Sequence, residues 1–293
     1  MILVTGATGS IGGHLVRRLA DDGVPFKAMV RDESRGAALG VDFVAGDFDD
    51  PDSVARALDG VDRLFLNAGG AVPTDGEQPM VRQQREAIDA ARRAGVSRIV
   101  KVSVWGAEEG GRLAVGAHWQ IEQHLKASGV EWSLLRPSGF MQNFVTGAGS
   151  FTADGDLIGN HLDAPVSYID AADIAACAAV LLTGSRGAGE TYVLTGPEAL
   201  TQTEIAARLT TAVGTTVRNV GMPPAEMAAT LTAQGLPAHF ADDVATLWAG
   251  IADGALAATT DAVRELTGRP PRTFDEFLAD HRDALKAVLA PRH

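Results

Sequence analysis

Cysteine is nearly absent: Cys177 is the only one in 293 residues. One thiol makes no intramolecular disulfide, and a structural zinc site takes several cysteine or histidine ligands. Its setting, Ile174-Ala-Ala-Cys-Ala-Ala-Val180, is small and apolar, which predicts a buried core thiol. Positive charge is also scarce, with 25 Lys and Arg against 37 Asp and Glu, a net charge of −12. No basic stripe runs along the chain, and nucleic-acid binding needs clustered cations to neutralise phosphates, so a nucleic-acid partner is not expected. The surplus of acid serves solubility. Long apolar runs are missing too. The N-terminal run Met1-Ile-Leu-Val4 is too short for a signal sequence, and none approaches the ~18 residues of a membrane span. The expectation is a cytoplasmic protein with no membrane partner. There is no Gly-x-Ser-x-Gly elbow, no Walker loop and no His-Glu-x-x-His, so hydrolase, phosphotransferase and metal-site readings fall away.

What is present is a core. Hydrophobic residues make up 46% of the chain, which supports packed α/β structure rather than disorder. Short apolar runs at 2–5, 26–30, 42–45, 63–66, 98–102, 132–135 and 191–194 read as strands. Between them, 11–21, 51–58, 79–94 and 117–128 carry apolar residues at helical spacing, as in Val81, Ile88 and Ala91. Gly23, Gly60, Gly95 and Gly129 follow these helices, where a left-handed residue turns the chain into the next strand. Strand–helix alternation with short connections predicts a Rossmann-like, doubly wound parallel sheet. After about Leu200 the segments 202–213, 224–234, 237–252, 260–267 and 273–289 read as helices, punctuated by Pro223, Pro224, Pro237, Pro270 and Pro271. The expected organisation is a dinucleotide domain over 1–150, completed by about 166–196. A smaller, mainly helical substrate lobe would cover 151–165 and 197–293.

The motif Val4-Thr5-Gly6-Ala7-Thr8-Gly9-Ser10-Ile11-Gly12 directly follows the first strand and opens the first helix. Gly6 suits the tight turn, Gly9 leaves room for a pyrophosphate, and Gly12 lets the helix pack close. The helix N-terminus supplies N–H groups and a favourable dipole to the phosphates through Thr8, Gly9, Ser10 and Ile11. Beyond the second strand, Arg31 and Arg35 suit the 2′-phosphate of NADP, whereas Asp32 and Glu33 are the residue type that binds the 2′-hydroxyl of NAD. The arginines favour NADP(H) over NAD(H).

The spacing Thr-Gly-x-x-Gly-x-Ile-Gly resembles the short-chain dehydrogenase/reductase superfamily. That resemblance implies cofactor contact from Asp47 and Phe48, with Asp47 facing the adenine amine, and from Asn67-Ala68-Gly69; turn chemistry alone accounts for the same residues. Ser103 stands after the fifth strand, at the superfamily's catalytic and cofactor-side serine. Its Tyr-x-x-x-Lys is absent, because the chain's tyrosines, Tyr168 and Tyr192, lie elsewhere and the helix carries His118 and Glu122 at that spacing. With Gly129-Val-Glu-Trp-Ser-Leu-Leu-Arg-Pro-Ser-Gly-Phe-Met-Gln-Asn-Phe144, Tyr168-Ile-Asp-Ala-Ala-Asp-Ile174 and Thr267-Gly-Arg-Pro-Pro-Arg-Thr-Phe274, this text resembles the NmrA-like group of atypical reductases. The group includes NADPH-dependent quinone and triphenylmethane-dye reductases, and redox-sensing regulators that bind dinucleotide without chemistry. The resemblance implies that Pro137 and Phe140 lie beside the nicotinamide, and that Phe140, Met141 and Asn143 face substrate. Trp105 is a candidate pocket wall.

Without the tyrosine, a plain ketone is a poor substrate, since its alkoxide needs a strong proton donor. A quinone, enone, imine or cationic dye delocalises the incoming charge, so orientation in a dry pocket goes further. His118, with an ordinary pKa near 6.5, is the candidate weak acid. Direct hydride transfer from NADPH to such a small molecule is therefore expected. A non-catalytic NAD(P) sensor and a biosynthetic isomerase or cyclase are the alternatives. The alanines of Ala171–Val180 suit helix packing within the chain or in a homodimer.

Overall fold

The computed structural model describes residues 1–74, 76–146, 151–159 and 161–290. The chain opens with β1 (Ile2–Val4), α1 (Ser10–Asp21), β2 (Phe26–Val30), α2 (Glu33–Ala37) and β3 (Phe43–Ala45). It continues through α3 (Pro51–Ala57), β4 (Arg63–Leu66), α4 (Pro79–Arg93), β5 (Arg98–Val102), α5 (Leu113–Ala127) and β6 (Glu131–Pro137). Next come α6 (Gln142–Thr146), β7 (Leu157–Gly159), α7 (Ala171–Thr183), β8 (Glu190–Leu194), α8 (Gln202–Val213) and β9 (Asn219–Gly221). The last elements are α9 (Pro224–Ala233), α10 (Ala238–Ala252), α11 (Ala262–Thr267), α12 (Phe274–Asp280) and α13 (Arg282–Leu289). These form two units. The first comprises Met1–Pro137, Ala171–Leu194 and Ala262–Arg269; the second comprises Ser138–Asp170, Thr195–Asp261 and Pro270–His293. The boundary expected at residue 150 lies outside the described residues.

The first unit is built on a seven-stranded sheet in the order β3-β2-β1-β4-β5-β6-β8. Every pairing is parallel, and the anticipated Rossmann-like α/β architecture is borne out. Ile2-Leu-Val4 and Leu64-Phe-Leu66 are buried throughout because helices cover both faces of a parallel sheet. Alternation along β5 sends successive side chains to opposite faces. Ile99 packs with Leu64, Leu66, Ile88, Ile121 and Leu125 on the α4/α5 side. Arg98 takes the other side. Its guanidinium donates to the carbonyls of Leu181, Gly184 and Arg186, and Arg63 donates to those of Leu182 and Gly184. Two strand arginines thus satisfy the last carbonyls of α7, at its negative end. The alanine-rich α7 packs against α1 and α11 within this unit, and Cys177 is fully buried.

In the second unit, Phe144, Ile205, Leu209, Phe274 and Phe277 form a separate core. Phe144 meets Phe274 edge-on at 5.3 Å between ring centroids. Capping boxes at Thr201/Glu204 and Thr273/Glu276 start α8 and α12. The single helix expected over 273–289 is divided at His281, whose backbone leaves helical geometry (φ −111°, ψ 15°) while its ring stacks on Phe277 at 4.3 Å. The paired strands β7 and β9 were not expected, since three residues are too few to show an alternating pattern. Arg218 fastens them, its backbone N–H and guanidinium both donating to Asp156. Segment 262–269, expected in the helical lobe, belongs to the first unit.

Candidate functional site

The strand order reverses between β1 and β4, and a cleft of about 310 Å³ opens beyond the carboxyl ends of the strands there. Gly6 and Thr8 follow β1, Arg31 follows β2, Gly46 and Phe48 follow β3, and Asn67, Ala68 and Gly69 follow β4; all line it. The glycine turn is held in a shape few residues allow. Gly6 has φ +62°, the left-handed region, and a Cβ there would meet the Asn67 carbonyl at 2.9 Å. A Cβ on Gly12 would lie 2.1 Å from the Gly6 carbonyl oxygen. The close approach at Gly12 is therefore to the turn itself. Thr5 Oγ1 accepts from the Asn67 N–H at 2.9 Å, tying the ends of β1 and β4 together. Gly9 caps α1 with no side-chain hydrogen bond. The first-turn N–H groups of a twelve-residue helix, around Ser10, Ile11 and Gly12, thus await an acceptor with the positive dipole end behind them. A dinucleotide pyrophosphate fits this arrangement.

Thr8, Arg31, Arg35 and Asp47 line a second hollow with Asp32. Asp32 is committed locally: its carboxylate accepts from the Ser34 N–H at 2.8 Å and the Ser34 hydroxyl at 2.6 Å, capping α2. Those bonds hold its carboxyl below the usual range. Arg31 and Arg35 are exposed and directed to this end of the cleft. The Asp47 N–H donates to Ser53 Oγ at 2.9 Å, which orders the loop carrying Phe48.

At the end of β5, five polar side chains meet between strand and α5. Lys101, Ser103 and Glu122 are buried, and His118 is 8% exposed. Ser103 Oγ donates to Glu122 Oε1 at 2.5 Å. Arg136 grips both oxygens of Glu122, at 2.9 Å from Nε and 2.6 Å from its terminal nitrogen. Lys101 Nζ donates to the Val102 carbonyl at 2.9 Å and lies 2.8 Å from His118 Nδ1. Burial, then the Lys101 charge, holds the His118 imidazolium well below its usual pKa, so the ring is neutral at pH 7. The Pro137 carbonyl accepts from the half-buried Trp105 at 3.0 Å.

The second unit holds its own cavity, about 270 Å³, walled by Met227, Leu231, Phe240, Val244, Trp248 and Ile251. Its polar residues are Asn143, Tyr168 and Gln202. Burial pushes the Tyr168 phenol up to about 12, so it stays a neutral donor. Gln202 is 2% exposed and its amide nitrogen reaches His161 and Tyr168, while Oε1 has no partner among the described residues. Of the three residues expected to face substrate, Asn143 lines this cavity, Met141 is packed in the core, and Phe140 is half-buried beside Ile169. Sequence reading singled out neither Lys101 nor Gln202 as a site residue. Lys101 left one signal: a lysine inside the apolar run Arg98–Val102. Gln202 left none. Among the described residues no cluster of His, Cys, Asp and Glu is arranged to hold a metal, and no helix is long and apolar enough to cross a membrane.

NAD(P)H azoreductase of Xenophilus azovorans is 37% identical over 98% of this chain and 100% of its own length. The NADPH complex of the Escherichia coli quinone oxidoreductase superposes with a TM-score of 0.81 at 31% identity, covering 96% of this chain and 99% of that one. Citrobacter sp. triphenylmethane reductase with NADP(H) gives 0.79 at 26% identity, covering 96% and 99%. The sequence model of the NmrA-like family matches residues 1–278. With its glycine turn, its parallel sheet and its end-to-end relatives, this chain belongs to the NmrA-like family.

Proposed function

We propose that this NAD(P)H-dependent oxidoreductase passes hydride directly from NADPH to a flat, conjugated acceptor of the quinone, enone, imine or dye type. The observation that carries this reading is the commitment of α5. Glu122, at the position of the missing lysine, is consumed by Arg136 and Ser103, and His118, at the position of the missing tyrosine, is a neutral imidazole. With no strong acid on α5, an acceptor that delocalises the incoming charge is favoured over a ketone, whose alkoxide needs a strong proton donor. Aromatic and aliphatic walls with few polar atoms in the second unit suit a flat apolar molecule, whose polar edge would meet Tyr168 and Gln202. Relatives with azoreductase, quinone and triphenylmethane-dye names support the same acceptor class. The test is NADPH oxidation against quinones, cationic dyes and plain ketones. Turnover is expected with quinones or dyes and not with ketones. Equal rates with ketones would sink the acceptor class, and nucleotide binding with no turnover would favour a sensor.

The ribose end of the cleft favours NADPH. Arg31 stands at the tip of β2, where an acidic residue would select NADH, and Asp32 is turned into its own helix cap. A charge-assisted hydrogen bond to the 2′-phosphate is worth about 1.5–3 kcal/mol, least where exposed. Arg31→Ala should therefore raise KM for NADPH about tenfold and leave KM for NADH unchanged. An equal rise for both nucleotides would remove Arg31 from phosphate recognition.

A further inference from the structure

Lys101 is fully buried in the centre of the parallel sheet, where a lysine contributes nothing to packing that leucine would not supply better. It has no ion pair. Its ammonium reaches one carbonyl and one imidazole nitrogen. An ammonium only donates, so His118 Nδ1 accepts and the ring proton sits on Nε2. His118 is not fully enclosed. The charges acting on Lys101 come from α5 and β6: Glu122 favours the ammonium and Arg136 opposes it. Lys126 lies 3.7 Å from the far oxygen of Glu122. From α4, the inward residues Val81, Gln84, Ile88 and Ala91 do not titrate. Burial outweighs the rest and brings the Lys101 pKa to about 7, low enough for the ammonium to give up its proton near neutrality.

We propose that Lys101 is the proton reservoir behind His118, forming a two-residue relay that replaces a tyrosine acid. The inference rests on the hydride-transfer reading above. As the C–H bond of the dihydronicotinamide breaks and hydride adds to the acceptor, NADPH is oxidised and the acceptor reduced to an anion. In one concerted step the His118 Nε2–H bond breaks, an O–H or N–H bond forms on that anion, and His118 Nδ1 takes a proton from the Lys101 ammonium, which becomes a neutral amine. One proton from solvent restores the pair before the next turnover. His118 is the catalytic residue of this relay, and Lys101 acts through it.

The pH dependence of kcat, with NADPH and 1,4-naphthoquinone, tests this. The native protein should lose rate above about pH 7, as Lys101 deprotonates. Lys101→Met should lower kcat about 100-fold and abolish that alkaline limb. Lys101→Arg keeps a positive charge but cannot give up its proton, so it should be as slow as Lys101→Met and likewise lack the limb. NADPH binding, followed by nucleotide fluorescence, should be unchanged in both, which a merely structural role would not guarantee. His118→Gln should match Lys101→Met, with no further loss in the double variant. A native kcat that is flat from pH 6 to 9 overturns the relay even if no variant folds, as does a Lys101→Met protein with the native profile. Native protein that binds NADPH but reduces no acceptor overturns the hydride reading and the relay together, and that outcome is distinct because it appears before any substitution.

Discussion

Gly12→Ala should weaken NADPH binding about 10–100-fold while leaving the sheet intact. The added Cβ would sit 2.1 Å from the Gly6 carbonyl oxygen and 2.8 Å from the Ala7 Cα. Both are backbone atoms, so no rotamer change relieves the contact. The turn or the first turn of α1 must move. Overpacking of this kind costs about 1–3 kcal/mol, and 1.4 kcal/mol is tenfold in affinity. The cost should fall on binding because the displaced atoms are the first-turn N–H groups proposed to hold the pyrophosphate. Fluorescence titration with NADPH, beside a circular-dichroism spectrum of the free protein, measures it. Affinity within twofold of native would show that the cradle tolerates the shift and that Gly12 is not what shapes it.

The second large effect is on stability. Glu122→Ala should destabilise the protein by about 3–5 kcal/mol, because it strands a cation whose partner is fully buried. The arithmetic favours a large loss over the near-zero value of a surface pair. Arg136 would keep its charge inside the fold without a carboxylate, and the Ser103 hydroxyl would lose its acceptor. Urea unfolding with a shared m-value measures the difference. A loss under about 1 kcal/mol would mean that water reaches Arg136 and that the ion pair is effectively a surface one.

Much of this molecule is readable from local pattern. The strands Phe26–Val30, Arg63–Leu66 and Arg98–Val102 have the limits their apolar runs suggest, because strands covered by helices on both faces are mostly apolar. The glycine turn announces itself because its spacing records steric limits within nine residues, and the family resemblance drawn from the later motifs is borne out over 1–278. Helices 224–234 and 237–252 were placed by prolines, which start α9 and α10 within a residue or so. Less was legible where the determinant is distant. Asp32 reads in sequence as a possible ribose ligand, and only the bonds to Ser34 show it capping α2 instead.

The amino-acid sequence by itself determined the family, the parallel α/β architecture and the glycine-rich turn, because each depends on residues within one strand–turn–helix unit or on periodicity along one element. Only the tertiary structure decided which groups Glu122 and Lys101 meet. Lys101 and His118 are 17 residues apart, and Glu122 and Arg136 are 14 apart. Whether such groups meet depends on β5, α5 and β6 stacking in register. Their charge states then follow from burial, a property of the packed core that no stretch of sequence carries.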